Sequence, residues 1–272
     1  MPAGRTTGDA PAAAPERRIL FGTQVHVVDM DAALSWARAR IAARDPAYVV
    51  TLNGALLVQA ARDAGLRDLV NGAGLVTADG VGVLLAARIL GVPLARRVAG
   101  IDLTAGLAAE AARAGYRVFL FGSAPGVAEA AAVELRRQHP ALQVVGTRHG
   151  YFRPDEEPGV LAQIREARPD VLLVALGAPR QEQWMQRWLR DLGVPVAIGV
   201  GGSLDVIAGR IPRAPLWMQR LGLEWLYRAL REPRRWAVIR TIPPLFAMAL
   251  RERLKAGRHK PRRAVDTKDV AS

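Results

Sequence analysis

Short apolar runs alternate with longer helical stretches from residue 19 onward, and this alternation constrains the chain more than any other feature. Runs at 47–52 (AYVVTL), 74–78 (GLVTA), 117–121 (RVFLF), 171–176 (VLLVAL) and 195–200 (PVAIGV) are bounded by polar or glycine-containing turns. Strands that read as near-continuous apolar runs are covered on both faces, the condition of a parallel sheet packed between helices. A weaker run at 143–146 predicts a sixth strand, and 19–28 predicts a preceding hairpin or edge strand. The stretches 55–70, 80–90, 102–115, 125–138, 157–167 and 180–191 predict helices between them. The expected fold class is α/β, a largely parallel sheet with helices on both faces, followed by a basic helical C-terminal segment.

Half of the 272 residues are apolar and 23% are charged, which sets aside collagen, coiled coil and wholesale disorder. With no cysteine, disulfides, thiolate nucleophiles and Cys-ligated zinc are excluded, and the four histidines (His26, His139, His149, His259) show no metal-ligand spacing. The longest charge-free run, 46–61, is sixteen residues and contains Thr51, Asn53 and Gln59, so it reads as strand, turn and helix start rather than a membrane span. The first 18 residues lack the apolar core of a secretory signal and read as a disordered leader. An α/β unit is expected over 19–208, a basic amphipathic helical appendage over 209–256 and a disordered tail over 257–272.

The net charge of +13 is a property of the C-terminal part: residues 209–263 hold 15 basic side chains against 3 acidic. Arginines there alternate with Trp217, Trp225, Tyr227 and Trp236, and the following 241–250 stretch (TIPPLFAMAL) is too short to span a bilayer. Two readings of this segment compete: aromatic residues packed on the core with arginines in water, or an interfacial helix facing an anionic membrane. A nucleic-acid-binding protein is the alternative that the charge invites, but the segment is Trp- and Leu-rich and carries no helix-turn-helix, zinc or RNP-type motif.

In open parallel sheets, ligands bind beyond the carboxyl ends of the strands. The turns there carry Thr51 and Asn53, Asp79 and Gly80, the Gly122–Gly126 loop, Gly177 to Glu182, and Gly201 to Asp205. Asp79 suits a general base toward a sugar hydroxyl, or equally a helix N-cap. The GVGG at 199–202 could present backbone amides to a phosphate, or serve only tight strand–helix packing. Without a complete GxGxxG and its distant acid it does not support an NAD-dependent oxidoreductase. The DxD at Asp29 and Asp31 precedes a helical pattern and reads better as a cap than as a metal-nucleotide site. Arg96 and Arg97 are either solvated charges or a fork for a diphosphate.

Together these turns resemble the WecG/TagA/CpsF family of bacterial glycosyltransferases, also called glycosyltransferase family 26. The resemblance covers about residues 20–242. It rests on T-x-N at 51–53, ADG-x-G at 78–82, R-x-x-G-x-D-L at 97–103, FGS at 121–123, GAP-x-QE at 177–182, GVGG-x-x-D at 199–205 and RAP-x-W…GLEWLYR-x-x-x-EP-x-R at 213–235. It implies a Rossmann-like core with a C-terminal appendage, and an inverting transferase, with no metal or other cofactor, that moves a sugar, N-acetylmannosamine in the founding members, from a UDP donor. The acceptor would be a polyprenyl-diphosphate-linked sugar in cell-surface polysaccharide or teichoic acid synthesis. The enzyme would be cytoplasmic, peripherally held at the inner face of the plasma membrane, with no nucleic-acid partner; homo-oligomerisation stays open.

Mapped by motif, Asp79 would be the base, with Arg97 and Gln181 beside it in the catalytic set. Thr51, Asn53 and Gln181 would meet the donor sugar or orient the acceptor, and Arg97 would contact the donor diphosphate or help charge stabilisation. Asp102, Gly122, Gly201 and Asp205 would line the substrate site, and Arg228, Arg231 and Arg235 would reach it from the appendage. Leu204 stands where the family pattern has an aromatic residue, and the basic tail from 255 extends beyond that pattern.

Overall fold

A computed structural model describes residues 15–231 and 239–258. The chain opens with an antiparallel hairpin, β1 (Arg17–Leu20) and β2 (Thr23–His26), then enters a βα series. Its strands are β3 (Ala47–Leu52), β4 (Leu75–Ala78), β5 (Arg117–Gly122), β6 (Gln143–Arg148), β7 (Val171–Ala175) and β8 (Val196–Gly199). They form one six-stranded sheet in the order β4-β3-β8-β7-β5-β6, and every neighbouring pair is parallel.

Strands β3, β4, β5, β7 and β8 are nearly all buried because each face of the sheet carries its own apolar layer, while the edge strand β6 is mostly half-buried. On one face lie α2 (Gly54–Arg62), α3 (Ala64–Asn71), α4 (Val81–Leu90), α7 (Glu157–Ala167) and α8 (Arg180–Leu192). On the other lie α1 (Met30–Ala43), α5 (Gly100–Ala114), α6 (Val127–Gln138) and the short α9 (Ser203–Ile207). The expected helix over 55–70 is two helices. Asp63 leaves helical geometry and its carboxylate accepts from the Leu66 amide at 3.1 Å, ending α2 and capping α3. Asp29 caps α1 through the Ala32 amide (2.9 Å), the capping role read from its position.

The hairpin is fastened to the sheet's first edge. Gln24 donates to the carbonyls of Asn71 and Ala73, and the Val76 amide donates to Nδ1 of His26. Past β8 and α9 come α10 (Leu216–Arg220), α11 (Glu224–Arg231) and α12 (Ile242–Arg258). The 241–250 stretch, read with the membrane-facing segment, sends one stripe inward: Leu245, 1% exposed, and Ala249 are buried at i,i+4 spacing against α2 and α4. Leu250 and Leu254 stay outside. Leu245→Ala is therefore expected to cost about 2–4 kcal/mol of stability. Urea unfolding checks it, and a loss below 0.5 kcal/mol, a bound typical of surface sites, would mean that α12 is not docked.

Candidate active site

The chain leaves β5 through α6 on one face and β7 through α8 on the other, so the adjacent β5 and β7 form a topological switch point. Open α/β sheets bind ligands at such a divergence, beyond the strand ends. A cleft of about 300 Å³ lies there, lined by residues that include Ser123, Tyr151, Gly177, Arg180, Gly201 and Asp205. From this cleft the strand ends run in order β5, β7, β8, β3, β4, finishing at Asp79. Three strand spacings separate β7 from β4, about 14 Å, a span that an extended nucleoside diphosphate bridges. A wider hollow of about 680 Å³ between α2, α3 and α8, lined by Gln59, Arg62, Leu66 and Gln183 among others, contains none of the predicted site residues.

Asp79 follows β4 directly, and its amide donates to the Leu52 carbonyl of β3 at 2.8 Å. Its carboxylate does not cap the helix that follows it, which has Gly80 at its N-cap and no side-chain bond. It accepts instead from the amide of Gly100 at 3.3 Å, the first residue of α5. The connecting segment is held there by two bonds: Val98 donates to Ala78, and Thr77 Oγ1 donates to Val98. Burial pushes the Asp79 carboxyl up to about 6. The Gly100 amide and Arg97 pull it down, while Glu224 and Asp102 push it up. A half-buried carboxylate poised near neutrality at a strand end suits proton abstraction.

Arg97 is engaged on both sides. Its guanidinium lies 2.9 Å from Glu224 and 3.7 Å from Asp102. Arg213 bonds the same two carboxylates, Asp102 at close range and Glu224 at 3.3 Å. Two arginines and two acids thus form a closed ring that ties the chain after β8 to the start of α5. The tie is tightened at Gly222 (φ +69°), where an added Cβ would stand 1.8 Å from Cγ2 of Val81. The segment before α11 consequently lies directly on the first turn of α4, beside Asp79.

Thr51, Asn53 and Gln181 are drawn toward the same strand ends, but their polar atoms face protein partners. Thr51 Oγ1 donates to the Gly199 carbonyl at 3.0 Å, and its side chain abuts Gly100. Asn53 is exposed and caps α2 by accepting from the Leu56 amide at 3.0 Å. Gln181, 5% exposed, accepts from the Gly201 amide at 3.1 Å and donates to Glu182 at 2.8 Å. It fixes the β8 turn, where only glycine fits at 199: a Cβ would meet the Gln181 amide at 2.6 Å.

Around the cleft, Gly122 (φ +124°) runs against the Ala175 backbone, 2.4 Å from where a Cβ would lie. Ser123 Oγ donates to the Asp205 carboxylate at 3.1 Å, joining the β5 and β8 loops. Tyr151 is 72% exposed at the rim. The side chains of Arg228 and Arg231, and all of Arg235, lie outside the described residues. Among the described residues no group of three or more His, Cys, Asp or Glu side chains is placed to hold a metal ion. Nor is any described helix long and apolar enough to cross a membrane.

Sequence reasoning gave no individual role to Arg213, Glu224 or Tyr151. Glu224 carried a signal, as the one acid between residues 209 and 231.

Fold and site define an α/β protein with a switch-point cleft and a half-buried carboxylate, Asp79, further along the same edge. The glycosyl transferase WecG/TagA/CpsF family model matches residues 18–259. Among curated relatives, the N-acetylglucosaminyldiphosphoundecaprenol N-acetyl-beta-D-mannosaminyltransferase of Bacillus subtilis is 32% identical over 206 residues, 76% of this chain and 80% of that protein. The proteins of the same name from Bacillus spizizenii and Staphylococcus aureus are 34% and 35% identical, covering 78% and 72% of this chain and 82% and 76% of theirs. The chain belongs to the WecG/TagA/CpsF family of glycosyltransferases.

Proposed function

We propose that this glycosyltransferase moves an N-acetylhexosaminyl group, N-acetylmannosaminyl by analogy with the relatives, from a UDP donor to an N-acetylglucosaminyl-diphosphate polyprenol. The observation that carries the reading is Asp79, a carboxylate raised to about 6 at the far end of the edge that begins at the cleft. The nucleoside occupies the cleft, where Asp205 can accept from ribose hydroxyls and Tyr151 offers a ring face to the base. The diphosphate crosses the β7 and β8 turns, and the sugar lies over Thr51 and Asn53.

In the reaction, Asp79 takes the proton of the acceptor hydroxyl as that oxygen bonds to the anomeric carbon. The bond from that carbon to the phosphate oxygen breaks, and its electron pair leaves with UDP. Inversion follows from attack opposite the leaving group. Arg97 holds Asp79 ionised at neutral pH by its charge, and Gln181 acts by keeping the β8 turn in place. Arginines and backbone amides neutralise the leaving diphosphate, so the reaction runs without a metal.

The lipid acceptor brings the protein to the inner face of the plasma membrane. The exposed Leu216, Trp217, Leu221 and Leu230, with the exposed Arg220 among them in sequence, support that placement, since exposed apolar side chains with a cation suit an anionic headgroup layer. The test is an EDTA-containing assay with UDP-N-acetylmannosamine and a short-chain polyprenyl-diphosphate N-acetylglucosamine, the lipid-linked disaccharide being read by mass spectrometry. Transfer is expected, with kcat/KM falling tenfold per pH unit below about 6 as Asp79 takes up its proton. No transfer from any of a panel of UDP-hexosamines, or a rate indifferent to pH between 5 and 7, would overturn the reading.

A further inference from the structure

We propose that Arg180 is the side chain that grips the donor diphosphate, a role that no motif comparison gave it; the proposal rests on the donor reading above. Arg180 is the first residue of α8, at the turn leaving β7, and it lines the switch-point cleft. It is the one lysine or arginine among the residues lining that cleft. In strand order its turn stands between the β5 loop with Ser123 and the β3 and β4 ends with Thr51 and Asp79. A nucleotide-sugar laid from the cleft to Asp79 therefore passes it at the diphosphate.

The charge of Arg180 is also available. Its guanidinium carries no ion pair among the described residues and lies 5.2 Å above the ring of Phe152. That ring is backed by Phe121 (centroids 5.7 Å apart), which in turn lies 4.7 Å from Trp184, so the platform belongs to the core. An aromatic face holds a guanidinium in place without neutralising it, and leaves the planar fork open to phosphate oxygens.

Arg97 and Arg213 are placed differently. Both are bridged by Asp102 and Glu224, and with Asp79 the cluster holds two cations against three carboxyl groups. With all three ionised, it has no positive charge left over for a leaving group that carries two or more negative charges. The one carboxylate lining the cleft, Asp205, reaches toward the β5 side to Ser123, so acceptor and cation mark opposite ends of the bound nucleotide.

The experiment is calorimetric titration of the full chain with uridine, UMP and UDP, using Arg180→Ala, Arg180→Lys and, as a control for net charge, Arg190→Ala on the exposed side of the same helix. Arg180→Ala is expected to weaken UDP about 10- to 100-fold and UMP less, with uridine within twofold. Arg180→Lys, which keeps the charge and loses the fork, is expected to fall between wild type and Ala. Arg190→Ala is expected to match wild type for all three ligands. Unchanged UDP affinity in Arg180→Ala, a loss equal for uridine and UDP, or an equal loss in Arg190→Ala would overturn this assignment alone. A wild-type protein that binds no UDP would overturn the donor reading and this assignment with it.

Discussion

Asp79→Asn is expected to lower turnover by about 10²-fold or more, leave UDP affinity within about twofold, and raise the melting temperature by a few degrees. The first effect follows from removing the carboxylate proposed as the base; an amide cannot take the proton. The second follows from distance, since the cleft lies about three strand spacings away. The third is a matter of sign. The folded-state value of about 6 stands above the ordinary aspartate value of 3.8, so the folded protein binds the proton more tightly than the unfolded chain. Stability then falls as pH rises between these values, and above about 6 the charged form costs up to about 2–3 kcal/mol. Asparagine removes that cost and can still accept from the Gly100 amide. A simultaneous loss of activity and stability would indicate a structural residue, and wild-type turnover would remove Asp79 from the mechanism.

Opposed effects of this kind explain why part of the site could be read from the chain and part could not. The sheet was legible because buried parallel strands are apolar on both faces: the expected runs at 117–121 and 171–176 became β5 (Arg117–Gly122) and β7 (Val171–Ala175). The strand ends were legible for the same reason: Thr51, Asn53 and Asp79 fall at them, and Gln181 and Asp205 in the first turns of the helices that follow β7 and β8. The strand order could not be read, because pairings such as β3 with β8 join residues about 150 apart with no local signal. What each polar atom faces was hidden too. Gln181 reads as a substrate contact until Gly199, a residue 18 positions on, is seen to lack the Cβ that its amide would strike. Asp79 reads as a cap for its own helix, but the left-handed Gly80 (φ +113°) takes that place and leaves the carboxylate to a helix that begins 21 residues later. The Arg97–Glu224 pair spans 127 residues, and only the fold brings it together.

Gly222→Ala is expected to reduce turnover about 30- to 100-fold while far-ultraviolet circular dichroism stays unchanged. The substitution leaves the sheet and its two apolar layers untouched and acts where the chain crosses the first turn of α4. A methyl group at 222 would stand 1.8 Å from Cγ2 of Val81, and the backbone there, at φ +69°, is one that alanine adopts at a cost of about 1 kcal/mol. Overpacking adds about 1–2 kcal/mol, so the docked arrangement loses about 2–3 kcal/mol in all. Relief comes from lifting the 209–231 segment away, which withdraws Glu224 and Arg213 from Arg97 and opens Asp79 to water. Desolvation and the two flanking acids are what hold Asp79 near neutrality, so the residual activity should also show its acid limb moved below pH 6. Val81→Ala in the same chain removes the struck methyl but not the backbone strain. It is expected to restore turnover to within about fivefold of wild type, the equivalent of the remaining 1 kcal/mol. Rescue by a residue on α4 would tie the loss to that one contact. Undiminished turnover in the single variant would mean that chemistry at Asp79 proceeds without this roof.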